Sequence, residues 1–129
     1  MDNRLTREEN PLRLYALIRT DLGMNVGKVA SQAGHAFLDA YLQALELQPE
    51  LAQEYKSEHH GIKICLGVAS LDELLLAELK AKKLGIPHAL ITDSGYTCFD
   101  GKFTITALGI GPARKVDIKK IVGHYPLLK

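Results

Sequence analysis

Apolar positions along this chain follow two rhythms that alternate from one end to the other. Residues Leu12–Arg19 (Leu-Arg-Leu-Tyr-Ala-Leu-Ile-Arg) are short, mostly apolar and free of Gly and Pro, the pattern of a strand buried on both faces. After a turn through Asp21-Leu22-Gly23-Met24-Asn25 the period changes. Val29, Ala33, Phe37, Ala40 and Ala44 recur at helical spacing and predict one long helix from Val26 to about Leu47, with Asn25 as its N-cap. Gly34 lies inside it and, with Ala30, Ala33 and Ala36 nearby, reads as a place where another backbone comes close. Pro49 opens a shorter helix that ends before Gly61. Residues Ile62–Val68 form a second apolar strand. Ser70 then caps a leucine-rich helix, with Glu73 placed for a capping box and Gly85 as the stop. Pro87 opens a third strand over 88–92, broken at Asp93-Ser94-Gly95. Residues 104–108 return as a fourth strand, antiparallel to the third, through the turn dipeptide Asp100-Gly101. Gly109-Ile110-Gly111-Pro112 reads as a tight turn into a last helix carrying Val116, Ile118, Ile121 and Val122. Strands alternating with helices predict an α/β fold, a sheet covered on both faces.

Composition adds limits to this picture. A length of 129 residues fits one domain, here 12–129, preceded by a flexible polar tail over 1–11. The hydrophobic share is 47% and the charged share 24%, and no apolar run reaches the ~20 residues that a bilayer span requires. The N-terminus has no apolar stretch of the secretory kind. Cys65 and Cys98 have neither zinc-site spacing nor the density of a disulfide scaffold, so a reducing cytoplasm is the expected setting and Cys65 an inert, packed thiol. The net charge of +1 gives no general attraction to nucleic acid, so any RNA site must be local. Charge is unevenly spread, with Glu46, Glu50, Glu54 and Glu58 in the middle and Arg114, Lys115, Lys119 and Lys120 near the end.

Chemistry in open α/β sheets collects where strands end and helices begin. At the first such junction Lys28, Gln32, His35 and Asp39 step by four, three and four, which puts them on one stripe of the long helix. Such a stripe is either a solvated face or the polar wall of a site. Lys28 falls in the first helical turn, where unpaired amides already attract an anion. Asp93-Ser94-Gly95-Tyr96-Thr97 closes the third strand, with Thr104 and Thr106 returning on the fourth. The Asp can be a turn residue bonded to its own backbone or a working carboxylate. The pair His59-His60 lacks a second ligand motif, so no metal site is expected.

In order along the chain, Arg19-Thr20-Asp21-Leu22-Gly23-Met24, Gly27-Lys28-Val29-Ala30-Ser31-Gln32-Ala33-Gly34-His35-Ala36, Asp93-Ser94-Gly95-Tyr96-Thr97 and Thr106-Ala107-Leu108-Gly109-Ile110-Gly111-Pro112 resemble the motifs of the type 2 peptidyl-tRNA hydrolases. The resemblance runs from Leu12 to the C-terminus. It implies a three-layer α/β/α domain around a four-stranded mixed sheet whose last strand is antiparallel, and hydrolysis of the ester joining a peptide to the acceptor end of a tRNA. It places Lys28, Asp93, Thr97 and Thr106 on active-site positions and Gln32 and His35 on further polar motif positions, and it brings no metal or organic cofactor. Val26 and Tyr96 stand where the family commonly carries cations.

Ester hydrolysis needs a nucleophile and a group to hold the charge that develops on the carbonyl oxygen. With no Gly-x-Ser-x-Gly elbow and neither Cys in a catalytic setting, the expected nucleophile is water, without a covalent intermediate. Asp93 is expected to accept or orient that water. Lys28 would pair with Asp93 and serve either the oxyanion or the terminal phosphate, while Thr97 and Thr106 supply hydroxyls. His35 is the competing base, because an imidazole ordinarily titrates nearer neutrality than a carboxylate does. Gln32, Thr104, Lys119 and Lys120 are expected on the substrate. The expected partner is peptidyl-tRNA, with no DNA and no membrane, and a homodimer is left open. Two alternatives remain: a hydrolase of the same fold acting on another ester or amide, and a catalytically silent RNA- or protein-binding member.

Overall fold

The computed structural model describes residues 8–58, 60–95 and 99–129. Their elements are β1 (Leu12–Arg19), α1 (Val26–Leu47), α2 (Pro49–Ser57), β2 (Ile62–Val68), α3 (Leu71–Leu84), β3 (His88–Asp93), β4 (Thr104–Arg114) and α4 (Lys115–Val122). The sheet order is β2-β1-β4-β3, with β1 and β2 parallel and β4 antiparallel to both of its neighbours. This is the mixed four-stranded sheet with an antiparallel last strand that the motifs imply.

The twofold alternation of β1 sorts the core into two layers. Leu14, Ala16 and Ile18 face α1 and α2, against Ala33, Ala36, Ala40 and Tyr55. Tyr15 and Leu17 face α3 and α4, against Leu74, Ala77, Ala81, Ile118, Ile121 and Val122. The buried face of α1 is almost all alanine, so the helix settles close to the sheet. A Cβ on Gly109 would come within 2.1 Å of the Ala36 carbonyl oxygen, so that position has no room for a side chain. Close approach therefore happens at Gly109 and not at Gly34, which is exposed and where a Cβ would meet nothing within 4 Å.

The caps follow the side-chain chemistry. Asn25 Oδ1 accepts from the Lys28 amide at 2.9 Å and Ser70 Oγ from the Glu73 amide at 3.2 Å. Glu73 reaches back to the Ala69 amide at 2.9 Å, one residue before the usual capping-box partner. Gly85 ends α3 with φ 69°, a left-handed conformation that glycine adopts without a Cβ penalty.

Three departures from expectation have physical causes. Residues 109–112 are not a turn: β4 runs on to Arg114, absorbing one extra residue as a bulge between the Tyr15–Ile110 and Arg13–Ala113 pairs. Gly111, with φ 113°, allows it, since a Cβ there would lie 2.6 Å from the Arg13 carbonyl oxygen. Second, the chain end straps the outer edge of β2, with the Gly67 amide donating to the Pro126 carbonyl at 2.9 Å and the Leu128 amide to the Cys65 carbonyl at 3.1 Å. That covers an edge which would otherwise offer unpaired amides. Third, Asn10, only 7% exposed, caps α4 from the far end of the chain. Its Oδ1 accepts from the Val116 amide at 3.0 Å, while the Pro11 carbonyl accepts from the Lys115 amide at 2.9 Å. Residues 1–7 of the expected tail lie outside the described residues.

Candidate active site

The C-terminal ends of β1 and β3, the start of β4 and the first turns of α1 meet at one edge of the sheet. Lys28 is the third residue of α1, and Asp93 is the last of β3. Their side chains form an ion pair, Nζ to Oδ1 at 2.7 Å, across 65 positions of sequence. The two side chains are 14% and 13% exposed, so the pair is mostly withdrawn from water and is screened less than a surface pair. Asp93 Oδ2 accepts from the Gly95 amide at 2.8 Å. Gly95 has φ 86°, and a Cβ on it would sit 2.1 Å from the Lys102 carbonyl oxygen, so glycine is what lets the turn fold this way. The Lys28 hydrogen bond holds the Asp93 carboxyl below its ordinary range against the opposing effect of burial, with the Gly95 amide and the field of His35 adding to it. Asp93 is thus bonded to its own turn through one carboxylate oxygen and to Lys28 through the other. The Phe99 ring lies 5.9 Å from Lys28 Nζ, at the outer reach of a cation–π contact.

One helical turn on, Gln32 is 2% exposed and Thr106 wholly buried. The Thr106 hydroxyl donates a hydrogen bond to Gln32 Oε1. Thr106 is the extra residue of a second bulge in β4, lying between the Ile91–Ala107 and Thr92–Ile105 pairs. The bulge and the closeness of α1 at Gly109 bring its hydroxyl up beneath Gln32. Thr106 is therefore not a surface hydroxyl, because Gln32 and the sheet enclose it. The remaining amide hydrogens of Gln32, on Nε2, have no hydrogen-bond partner among the described residues.

The polar stripe of α1 divides accordingly. Lys28 and Gln32 turn inward, whereas His35 and Asp39 are exposed. Thr104 is paired with Asp93 across the strands, but its hydroxyl donates to the Lys102 carbonyl at 3.0 Å. Thr97, with Tyr96, Cys98 and His59, lies outside the described residues. Lys119 and Lys120 sit on α4, which packs on the sheet face opposite α1, so they are not gathered with Lys28 and Asp93. Arg114 is drawn into an ion pair with Glu54 at 2.6 Å, where the acidic and basic groups of the chain meet. Burial pushes the Cys65 thiol up, away from a reactive thiolate. Among the described residues no three His, Cys, Asp or Glu side chains are placed to hold a metal ion, and no helix is long and apolar enough to cross a membrane.

Sequence reading left Arg19 out of the site. It is the last residue of β1, and its side chain is 12% exposed. The guanidinium donates from Nε and Nη2 to the two oxygens of Asp21 at 3.1 and 2.7 Å, and from Nη1 to the Ile105 carbonyl at 2.9 Å. The available signal was an Arg and an Asp two positions apart where a strand runs into a turn.

What this edge offers chemically is a carboxylate held ionised at neutral pH, an ammonium against it, and a buried amide anchored at its oxygen end. The family model described as peptidyl-tRNA hydrolase PTH2 matches residues 12–128. A peptidyl-tRNA hydrolase of Methanocaldococcus jannaschii is 38% identical over 117 residues, 91% of this chain and 100% of the relative. Another, from Sulfurisphaera tokodaii, is 40% identical over 119 residues, covering 90% and 98%. A third, from Thermoplasma volcanium, is 33% identical over 117 residues, covering 91% and 98%.

Proposed function

The chain belongs to the peptidyl-tRNA hydrolase PTH2 family and hydrolyses peptidyl-tRNA, and from that premise we propose that Lys28, Asp93 and Gln32 form its active site and that water is the nucleophile. The observation that carries this reading is the 2.7 Å pair of Lys28 and Asp93, brought together from distant segments at a sheet edge and largely withdrawn from water.

The ester carbon joins the peptide to the ribose oxygen at the acceptor end. Water adds to that carbon, the carbonyl oxygen takes up negative charge, and the bond to the ribose oxygen then breaks, that oxygen taking up the proton the water has given to Asp93. The products are free tRNA and a peptide carboxylate. The Lys28 ammonium stabilises the oxyanion, a role whose strength rests on a fixed donor in a partly dry site. Asp93 accepts a hydrogen bond from the attacking water and draws off its proton. Because Lys28 keeps Asp93 a weak base, orientation is the larger part of its work, and its contribution sits at the low end of the general-base range, about 10²-fold. The Gln32 amide donates to the substrate, and Thr106 acts through Gln32 by holding its oxygen. Thr97 is the remaining hydroxyl of the motif, and His35, exposed on the same helix, is the alternative base. The cytoplasm, where peptidyl-tRNA arises, is the matching setting.

The test is release of labelled tRNA from peptidyl-tRNA beside a panel of simple acyl esters. Rapid cleavage of peptidyl-tRNA with the simple esters nearly untouched is the expected result. Equal or faster cleavage of the simple esters would put a different ester in front.

A further inference from the structure

The two pairs that make the site, Lys28 with Asp93 and Gln32 with Thr106, share a geometry. In each, one member is on α1 and the other on the β3–β4 hairpin. Their distances therefore depend on how the turn that starts α1 is held against the start of β4. Backbone pairing does not reach that far: the β1–β4 register ends at Ile18–Ala107, after which β1 leaves into the turn at Thr20. The start of β4 continues beside β3 alone, through Ile105 and Thr104. At this gap the Ile105 carbonyl, next to the Thr106 bulge, faces a side chain. Arg19 Nη1 donates to it at 2.9 Å while Nε and Nη2 grip both oxygens of Asp21 at 3.1 and 2.7 Å.

We propose that Arg19 is a positioning residue for the hydrolytic reaction, a three-bond clamp that fixes the Asp21 turn and hence the first turns of α1 against the Thr104–Thr106 end of β4. The inference rests on the reading of Lys28, Asp93 and Gln32 as the active site. A guanidinium suits the task because it is planar and presents its donors in a fixed fork, whereas a lysine ammonium is a point charge that cannot hold both carboxylate oxygens and a carbonyl in one plane. The three bonds of Arg19 go to the turn and the strand, not to the reacting atoms. Its effect is on distances, and misplacement near 1 Å in a site of this kind costs up to about 10²-fold in rate.

The charged groups acting on the Asp93 carboxyl among the described residues are Lys28 and His35, both on α1. If the clamp loosens, the Lys28 bond to Asp93 lengthens and the carboxyl titrates at higher pH, nearer its ordinary value. A residue that only stabilised the fold would leave that titration alone.

The experiment uses the full chain as parent, Arg19→Lys and Asp21→Asn. The second variant weakens the fork's aim from its more exposed side and guards against a misfolded first. The Asp93 carboxyl is titrated by carbon-13 NMR, and kcat and KM are measured on peptidyl-tRNA. The expected result is an upward shift of the Asp93 titration in both variants, with kcat about 10- to 100-fold lower in Arg19→Lys, less reduced in Asp21→Asn, and KM within about twofold. An Asp93 titration identical to the parent in both folded variants would overturn the clamp whatever the activity. A shifted titration in variants of a parent that cleaves no peptidyl-tRNA would leave the clamp standing and overturn the functional reading alone.

Discussion

Replacing Thr106 by Val probes the buried pair beneath the site and separates its structural from its catalytic effect. Val has nearly the shape of Thr and removes only the hydroxyl. Thr106 is wholly buried and its acceptor, Gln32, is 2% exposed, so Oε1 would be left without a partner where water does not readily enter. An uncompensated buried acceptor costs about 1–3 kcal/mol, a sizeable part of the ~5–15 kcal/mol that holds an ordinary domain folded. Thr106→Ser keeps the hydroxyl and loses one methyl, about 0.8 kcal/mol. The double variant Gln32→Leu with Thr106→Val removes both polar partners and should recover much of the lost stability, giving a coupling energy within about 0.5–3 kcal/mol. Activity should follow the other pattern. Thr106→Val frees the Gln32 amide to rotate and lowers kcat about tenfold, Thr106→Ser stays near the parent, and the double variant is stable but slow. Urea unfolding followed by circular dichroism, with turnover of peptidyl-tRNA on the same samples, reads both. Parent-like stability and parent-like kcat in Thr106→Val would refute the buried pair as described.

Further outcomes follow from other parts of the molecule. Asn10→Ala removes the side chain that caps α4 from outside the helix, and thermal unfolding should show a loss of about 0.5–2 kcal/mol. The Asp93 carboxyl is held below its ordinary value by Lys28, so the pair's contribution to stability is fully present above the unfolded carboxyl value of about 3.9 and is lost as pH falls through the lower folded value. Asp93→Asn should therefore flatten that part of the stability–pH curve in acid titrations, and an unchanged curve would speak against the pair. Lys119→Ala with Lys120→Ala should leave the salt dependence of tRNA binding unchanged, because α4 lies on the sheet face away from α1. A slope reduced by about one to two units would mean the RNA wraps round to that face.

Legibility in the sequence tracks how local the determining physics is. The borders of α1, α2 and α3 were readable because Asn25, Pro49, Ser70 and Gly85 act on their immediate neighbours. Lys28 and Asp93 were identifiable as a pair because each stands at a strand–helix or strand–turn junction. What escaped was set by distant partners. The continuation of β4 through Gly109 and Gly111 depends on how closely α1 and β1 pack, and glycines in sequence look like turns when the neighbour is unseen. The burial of Thr106 depends on a bulge whose register is fixed by β3. The Asn10 cap, the Arg19 clamp and the C-terminal strap on β2 join segments tens of residues apart, and no periodicity signals them.

In the proposed mechanism Asp93, held by Lys28, serves the water that cleaves peptidyl-tRNA. The most direct measurement is the single-turnover rate of peptidyl-tRNA cleavage by Asp93→Asn, which keeps the side chain's shape and removes its charge, with the thermal midpoint recorded on the same preparation. A rate lower by at least about 10²-fold, in an enzyme whose midpoint falls by the loss of the ion pair but stays above the assay temperature, is the predicted result. A folded Asp93→Asn enzyme that cleaves at the parent's rate would contradict the account and move the base to His35.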